Sequence, residues 1–188
     1  MTIETMSLEA ATVQIHAEII ERCRRGDRDA HYQLYKLYSR SMYNIGYRIV
    51  NDKDEAEDVL QEAFISAFRS LDHYRGDATF GSWLKRIVVN KAINVLKNRR
   101  MERLPDDEKF DIREEVWEEE EFQFSVEQVK KAMETLPDGY RSVFSLYLLE
   151  GYDHSEIAEI LGISESTSKS QFNRSKKKLR EILEGGKR

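Results

Sequence analysis

Three groups of side chains in this sequence have the types and spacing that chemistry or recognition requires. In the first group, Asp54, Asp58 and Glu62 recur every four residues, which places three carboxylates on one face of a helix. Such a row can be a solvated face, a dock for a basic protein surface, or a metal site for phosphate chemistry. No histidine and no second carboxylate helix of matching form accompanies it, so we expect no metal and no cofactor.

The second group occupies the segment FGSWLKRIVVNKAINVLKNRR, residues 80–100. One side of the corresponding helix carries asparagines, which are poor helix formers but hydrogen-bond well to base edges. Six basic residues and no acidic residue lie between Lys85 and Arg100, so this side favours nucleic acid. The side predicted to face the core comprises Phe80, Leu84, Ile87, Val88, Ala92 and Val95.

A polar loop, residues 72–77 (DHYRGD), directly precedes that segment. It brings cationic and aromatic groups close to Trp83, which is the combination that single-strand binders use. For Phe80 and Trp83 taken alone, core packing is the favoured alternative, because both lie on the apolar stripe. The full set predicted to contact an unpaired strand is Tyr74, Arg75, Trp83, Lys85, Arg86, Asn90, Lys91, Asn94 and Lys97.

The third group is a pair of helices in the segment SEIAEILGISESTSKSQFNRSKKKLREIL, residues 155–183. Asp153 and Glu156 form a capping box for the first helix, Gly162 suits a left-handed turn, and Ser164 caps the second helix. This pattern is typical of a helix-turn-helix, and it outweighs the alternative of a surface helix with a solvated lysine run. The predicted inward residues are Ser168, Phe172, Ser175 and Leu179; those expected to meet duplex DNA are Ser164, Glu165, Ser166, Thr167, Lys169, Ser170, Gln171, Asn173, Arg174 and Lys177.

All three groups need helices to position them, and the whole sequence predicts an all-α fold. It contains only two prolines, and no segment has the alternating pattern of a strand. Breaks are expected at Gly26-Asp27 and at Asn51-Asp52. The predicted helices span residues 8–25, 30–50, 54–70, 80–100, 126–136, 137–150, 154–161 and 165–183.

The distribution of charge predicts two domains and a linker. The net charge is -5, but residues 104–124 alone carry -8, whereas residues 1–103 carry +2 and residues 125–188 carry +1. The acidic segment has no sustained amphipathic stripe. We therefore expect domains at 1–103 and 125–188, joined by an acidic linker at 104–124. Because the basic residues of both domains are clustered, the net negative charge of the chain does not exclude DNA binding.

The sequence also predicts the compartment. No apolar run has the length that a membrane-spanning helix needs, and the first ten residues lack the basic start and apolar stretch of a signal peptide. The single cysteine, Cys23, has no Cys or His neighbour at metal-ligand spacing, which fits a reducing compartment. We expect a cytoplasmic protein without membrane insertion.

Three motifs in this order resemble extracytoplasmic-function (ECF) sigma factors, the smallest sigma factors of bacterial RNA polymerase. They are DEAEDVLQEAFISAFRSL, FGSWLKRIVVNKAINVLKNRR and LPDGYRSVFSLYLLEGYDHSEIAEILGISESTSKSQFNRSKKKLR, and the resemblance covers residues 19–183. It implies two small helical domains, sigma region 2 and sigma region 4 with its helix-turn-helix, joined by a flexible acidic linker. It also implies a factor that directs promoter-specific transcription initiation and is not an enzyme.

The resemblance further implies how the parts are used. The first domain would bind the clamp helices of the polymerase beta-prime subunit and melt the minus-ten element, and the second would lie against the beta flap and read the minus-thirty-five element. An anti-sigma factor is an expected partner, and the linker would follow the path of the RNA or act as a plain spacer. The polymerase-binding set comprises Asp54, Glu55, Asp58, Gln61 and Glu62.

Two departures from the family pattern and two rival functions accompany this interpretation. Ser168 replaces an aliphatic residue, so we expect looser packing or a side-chain hydrogen bond to the Ser164 carbonyl. Gln171 replaces a residue that is more often basic, so the promoter preference of relatives does not transfer.

An ordinary helix-turn-helix regulator would leave the Arg86 to Lys97 stripe unexplained, and a metal-dependent nucleotide phosphohydrolase would leave the helix-turn-helix unexplained.

Overall fold

The computed structural model describes residues 16–102 and 125–185, and these residues form helices and turns without a strand. This confirms the all-α prediction. The start of the first predicted helix and the predicted linker at 104–124 lie outside the described residues. The elements are α1 (16–24), α2 (Arg28–Val50), α3 (Lys53–Arg69), a 3-10 helix (Leu71–His73), α4 (Phe80–Glu102), α5 (Val126–Glu134), α6 (Asp138–Phe144), α7 (His154–Leu161) and α8 (Glu165–Gly185).

The contacts between Cα atoms divide the chain into two compact units. The first contains the described residues up to Tyr47 together with Asp52–Lys91, and the second contains Arg48–Asn51 and the described residues from Ala92 onward. The long helices α2 and α4 therefore each contribute to both units. The domain boundaries at 103 and 125 remain predictions.

The breaks between the first helices follow local backbone chemistry, and both were expected. Gly26 has a φ of 82° and Asn51 a φ of 56°, a left-handed conformation that glycine and asparagine tolerate best. The Asp27 carboxylate accepts hydrogen bonds from the backbone N–H groups of Asp29 and Ala30 at 2.9 and 3.2 Å. These caps satisfy donors that would otherwise be unpaired at a helix start.

The buried residues of α3 and α4 recur at helical spacing. On α3 the buried residues are Ala56, Val59, Leu60, Ala63, Phe64 and Ala67. On α4, Val89 and Ile93 are buried in addition to the predicted Phe80, Leu84, Val88 and Ala92. The prediction is wrong for Ile87 and Val95, which are only half-buried, because the apolar stripe is rotated toward Val89 and Ile93.

The second unit packs α8 against α5, α6 and α7. A capping box begins α5, where the Ser125 hydroxyl accepts from the Gln128 N–H and the Gln128 side chain accepts from the Ser125 N–H. A single α-helix was predicted over 137–150. The α-helical part ends at Phe144, and the chain continues as a π-helical turn over Ser145–Leu149. No helix within the described ranges is both long and apolar enough to cross a membrane.

Candidate nucleic-acid and polymerase interfaces

The turn between α7 and α8 has the geometry that its sequence predicts. Asp153 accepts from the Glu156 N–H at 2.8 Å, and the Glu156 carboxylate accepts from the Asp153 N–H at 2.9 Å. Gly162 adopts the left-handed conformation, with φ 71° and ψ 40°. The Ser164 hydroxyl accepts from the Thr167 N–H at 3.0 Å. Side-chain and glycine caps therefore define the start of α7, its end and the start of α8.

The inward face of α8 consists of the four residues that periodicity predicts, Ser168, Phe172, Ser175 and Leu179. The Ser168 hydroxyl lies 2.9 Å from Nδ1 of His154, a partner that the sequence did not indicate. Ser168 is fully buried. A hydrogen bond therefore joins α7 to α8 at this position.

The outward face of α8 is polar and mainly basic. Lys169 forms an exposed ion pair with Glu165 at 2.7 Å, and this hydrogen bond raises the pKa of Lys169. The Gln171 side chain is half-buried and points toward α6, where its Oε1 lies 3.5 Å from the position that a Cβ on Gly139 would occupy. The other predicted contacts, all exposed or half-exposed, are Ser164, Ser166, Thr167, Ser170, Asn173, Arg174 and Lys177.

On α4, the polar stripe is exposed along its length. Asn90 and Asn94 are both exposed and lie one turn apart, with Arg86 before them and Lys97 after them, also exposed. Lys85 is half-buried. The asparagine amides are therefore available to hydrogen-bond with groups outside the chain.

The loop before α4 contributes Tyr74 to a cluster of packed aromatic rings. The Trp83 ring centroid lies 5.3 Å from that of Tyr74 and 5.6 Å from that of Phe80. Phe80 is buried, whereas Tyr74 and Trp83 are half-exposed and Arg75 is exposed. Core packing thus accounts for Phe80, while Tyr74 and Trp83 pack against neighbouring rings and remain partly accessible. Burial raises the pKa of Tyr74, so its phenol remains a neutral hydrogen-bonding group.

The acidic row lies on the exposed face of α3. Asp54, Asp58, Gln61 and Glu62 are exposed, and Glu55 is half-buried in the first turn. The Glu62 carboxylate pairs with the ammonium group of Lys91 on α4 at 3.2 Å. Among the described residues, no three Asp, Glu, His or Cys side chains are placed to hold a metal ion.

Three residues that matter for these surfaces were not found by sequence reasoning. Arg24 on α1 donates to backbone carbonyls of the loop before α4. Tyr38 on α2 contacts Phe80, with ring centroids 5.3 Å apart, and His154 joins α7 to α8. Their partners lie between 14 and 50 residues away along the chain, and no local pattern indicates such pairs.

The described helices, with an asparagine-bearing basic face on α4 and a helix-turn-helix at α7 and α8, match two parts of a known class of transcription factor. Residues 34–101 match the family Sigma-70 region 2, and residues 126–179 match the family Sigma-70, region 4. The chain belongs to the sigma-70 family of RNA polymerase sigma factors, and within it to the ECF group. Its members are transcription initiation factors and not enzymes.

Relatives match over most of their own length. The RNA polymerase sigma-H factor of Pseudomonas aeruginosa is 31% identical over 180 residues, which span 89% of this chain and 93% of that protein. The ECF RNA polymerase sigma-E factor of Escherichia coli K12 is 34% identical over 170 residues, which span 84% and 88%. Such coverage favours the sigma-factor interpretation over the regulator and the phosphohydrolase.

Solved structures share the fold. The sigma factor RpoE of Bartonella quintana, in complex with the anti-sigma factor NepR, aligns with a TM-score of 0.55 at 22% identity, covering 81% of this chain and 96% of that one. CnrH in complex with the cytosolic domain of CnrY aligns with a TM-score of 0.53 at 23% identity, covering 89% and 96%.

Proposed function

We propose that this sigma factor binds core RNA polymerase through α3, captures the melted minus-ten element with α4 and its preceding loop, and reads the minus-thirty-five element with α8. The observation that carries the proposal is the exposed stripe on α4, where Asn90 and Asn94 stand between the cations Arg86 and Lys97. Asparagine is a poor helix former, so two exposed asparagines in the middle of a helix do not stabilise it. A helix that meets unpaired bases gains hydrogen-bonding groups from them.

The chemistry of the loop complements that of α4. Unpaired bases stack on aromatic rings, and each stacked base contributes about 1–3 kcal/mol to binding. Tyr74 and Trp83 offer partly accessible rings, and Arg75 offers an exposed guanidinium group beside them. We infer that stacking on the loop and hydrogen bonding on α4 together hold the strand after the duplex has opened.

The second unit supplies the duplex contacts. The first residues of α8 follow the turn directly, so Ser166 and Ser170 are placed to reach base edges in the major groove. Lys176, Lys177 and Lys178 lie further along α8 and are exposed, which suits contacts with phosphates. Such contacts contribute salt-sensitive affinity without sequence preference. Gln171, directed toward α6, contributes through packing more than through base contact.

The acidic row on α3 is the proposed polymerase surface, with a basic partner such as the beta-prime clamp helices. The Glu62–Lys91 pair joins this surface to the α4 side of the molecule. Exposed ion pairs contribute only about 0.2–1 kcal/mol, so Lys91 can exchange Glu62 for a DNA phosphate at small cost. We also propose the beta flap and an anti-sigma factor as partners, and the cytoplasm as the compartment.

Run-off transcription tests the function as a whole. The purified chain, core RNA polymerase and a promoter library from the source genome should together produce specific transcripts that core polymerase alone does not produce. Tight binding of the chain alone to a duplex operator, without any specific transcript, would instead favour an ordinary regulator.

Two substitutions test the division of roles. Asn90→Ala should lower the rate of promoter opening about tenfold, equivalent to about 1.4 kcal/mol for lost hydrogen bonds, and leave core-polymerase affinity unchanged. Asp58→Ala should weaken core binding and spare opening at saturating concentrations. Asn44→Ala and Asp29→Ala, which remove an exposed amide and an exposed carboxylate from α2, are the matched controls. Equal defects of both variants in both assays would contradict the assignment.

A further inference from the structure

The loop that precedes α4 is held in place from α1. The guanidinium group of Arg24 donates through Nη2 to the Tyr74 carbonyl at 2.5 Å and to the Leu71 carbonyl at 3.3 Å, and through Nε to the same Leu71 carbonyl at 3.4 Å. These two carbonyls belong to the 3-10 turn that begins the loop and to the residue that follows it. One side chain therefore holds both ends of the turn.

An arginine suits this task better than any other residue. The planar guanidinium group presents several N–H donors in a rigid fork, whereas a lysine ammonium group is a single point of charge. The third nitrogen, Nη1, pairs with Glu21 at 2.5 Å, one turn earlier on α1. This pair fixes the rotation of the guanidinium group, and the remaining N–H groups then point at the loop.

The consequence for the loop is a defined orientation of its recognition side chains. A groove of about 350 Å³ lies between α1 and the loop, with His16, Glu21 and Arg24 on one side and Tyr74, Arg75 and Phe80 on the other. The Tyr74 hydroxyl donates to the Ala78 carbonyl at 2.7 Å. This hydrogen bond links the residue that Arg24 binds to the segment directly before α4. The backbone of Tyr74 is thus restrained by Arg24 and its ring by the loop itself.

We propose that Arg24 is a positioning residue for minus-ten recognition. It sets the conformation of the loop so that Tyr74 and Arg75 meet the unpaired strand in one orientation. This inference rests on the proposed function, because it assigns to α1 a part in the strand capture proposed for the loop. Arg24 itself need not touch DNA.

The test uses holoenzyme assembled from the full chain and core polymerase. The probe is a fork-junction DNA whose single-stranded tail is randomised, and bound molecules are sequenced. Arg24→Ala and Arg24→Lys should each weaken binding of the wild-type-selected sequence about fivefold to tenfold and flatten base preference at the tail positions read by the loop. Arg25→Ala, which removes the same charge from an exposed neighbour, should retain the wild-type profile. Arg24→Lys keeps the charge, so it separates the fork geometry from electrostatic attraction.

A double-mutant comparison distinguishes positioning from general destabilisation. The double variant Arg24→Ala/Arg75→Ala should bind the fork-junction DNA only slightly more weakly than either single variant, because both changes act through the loop. Asn90→Ala should add its full effect to that of Arg24→Ala, since α4 is not held by Arg24. Additive effects of Arg24→Ala and Arg75→Ala, or an unchanged base profile for Arg24→Ala, would overturn the inference. If wild-type holoenzyme itself selects no sequence, it is the proposed function that fails.

Discussion

At the scale of single residues, His154 connects the two helices of the DNA-binding motif. Its Nδ1 lies 2.9 Å from the Ser168 hydroxyl, and its ring stacks on Tyr147 with centroids 4.5 Å apart at an interplanar angle of 14°. Desolvation lowers the pKa of His154, and the charge of Lys169 lowers it further, while Glu165 and Asp153 oppose the shift. The folded motif therefore favours the neutral imidazole.

This preference makes the stability of the motif depend on pH. Because the pKa of His154 is lower in the folded state than its ordinary value of 6.5, the unfolded chain binds more protons once the pH falls below about 7, and the folded state loses stability. Above that range the contribution is fully present. We expect the free energy of unfolding of the second unit to decrease between about pH 7.5 and about pH 5.5.

The measurement is urea unfolding followed by the NMR signals of Ile157 and Phe172 in the full chain. His154→Asn is the informative variant, because its side-chain oxygen can accept from Ser168 and does not titrate. The decrease in stability on acidification should be smaller in this variant than in the wild type. An identical decrease in both proteins would show that other groups determine the pH dependence.

At the scale of elements, the turn between α7 and α8 determines the angle between these two helices. Gly162 has a φ of 71°, and apart from the residues next to it in the chain no atom lies within 4 Å of the position that its Cβ would occupy. Glycine is therefore favoured here by the left-handed backbone conformation and not by a lack of space for a side chain. Left-handed backbone costs a residue with a Cβ about 1–2 kcal/mol, while asparagine tolerates it better.

We therefore expect Gly162→Ala to destabilise the second unit by about 1 kcal/mol, and Gly162→Asn to destabilise it less. The measurement is the free energy of urea unfolding. Gly139→Ala is the matched control, because Gly139 lies in α6 and its Cβ would meet only Gln171 at 3.5 Å, an ordinary contact. That control should be neutral or stabilising. A loss of stability for Gly139→Ala as large as for Gly162→Ala would contradict the conformational explanation.

At the scale of the whole molecule, the charge is separated along the chain. Residues 104–124 carry -8, and the segments on either side are slightly basic. A concentrated negative charge on the same chain competes with DNA phosphates for the basic surfaces and repels DNA directly. We expect this segment to lower the non-specific affinity of the free sigma factor for DNA.

Neutralising the segment tests that expectation. Replacing Glu114, Glu115 and the four residues Glu118–Glu121 by glutamine removes six charges and changes the segment from -8 to -2. Affinity for non-specific duplex DNA should rise on the order of tenfold at about 50 mM salt and converge with the wild type at high salt. Replacing the same six residues by aspartate preserves the charge and should preserve the wild-type affinity. No difference between the glutamine and aspartate variants would rule out an electrostatic role.

Much of the fold could be predicted from the sequence because its determinants are local. Helix caps such as Ser164, stops such as Gly26, and the inward face of α8 depend on hydrogen bonds and periodicity within one or two turns. The exposed asparagines of α4 follow from the same periodicity. The interruption of α6 by a π turn was missed, because its sequence over 145–149 continues an ordinary apolar helix.

The tertiary structure alone decided which distant residues meet. Arg24 lies 47 and 50 residues from the two carbonyls it holds, Ser168 finds His154 across the turn, and a Cβ on Gly81 would come within 2.9 Å of the Tyr38 ring. Side-chain type restricts what each residue can bind, but only the packing of whole helices brings the partners together. The sequence by itself determined the helices and which of their faces are polar, because these depend on near neighbours. The support of the loop before α4 depends on contacts between segments far apart in the chain, which only the folded structure reveals.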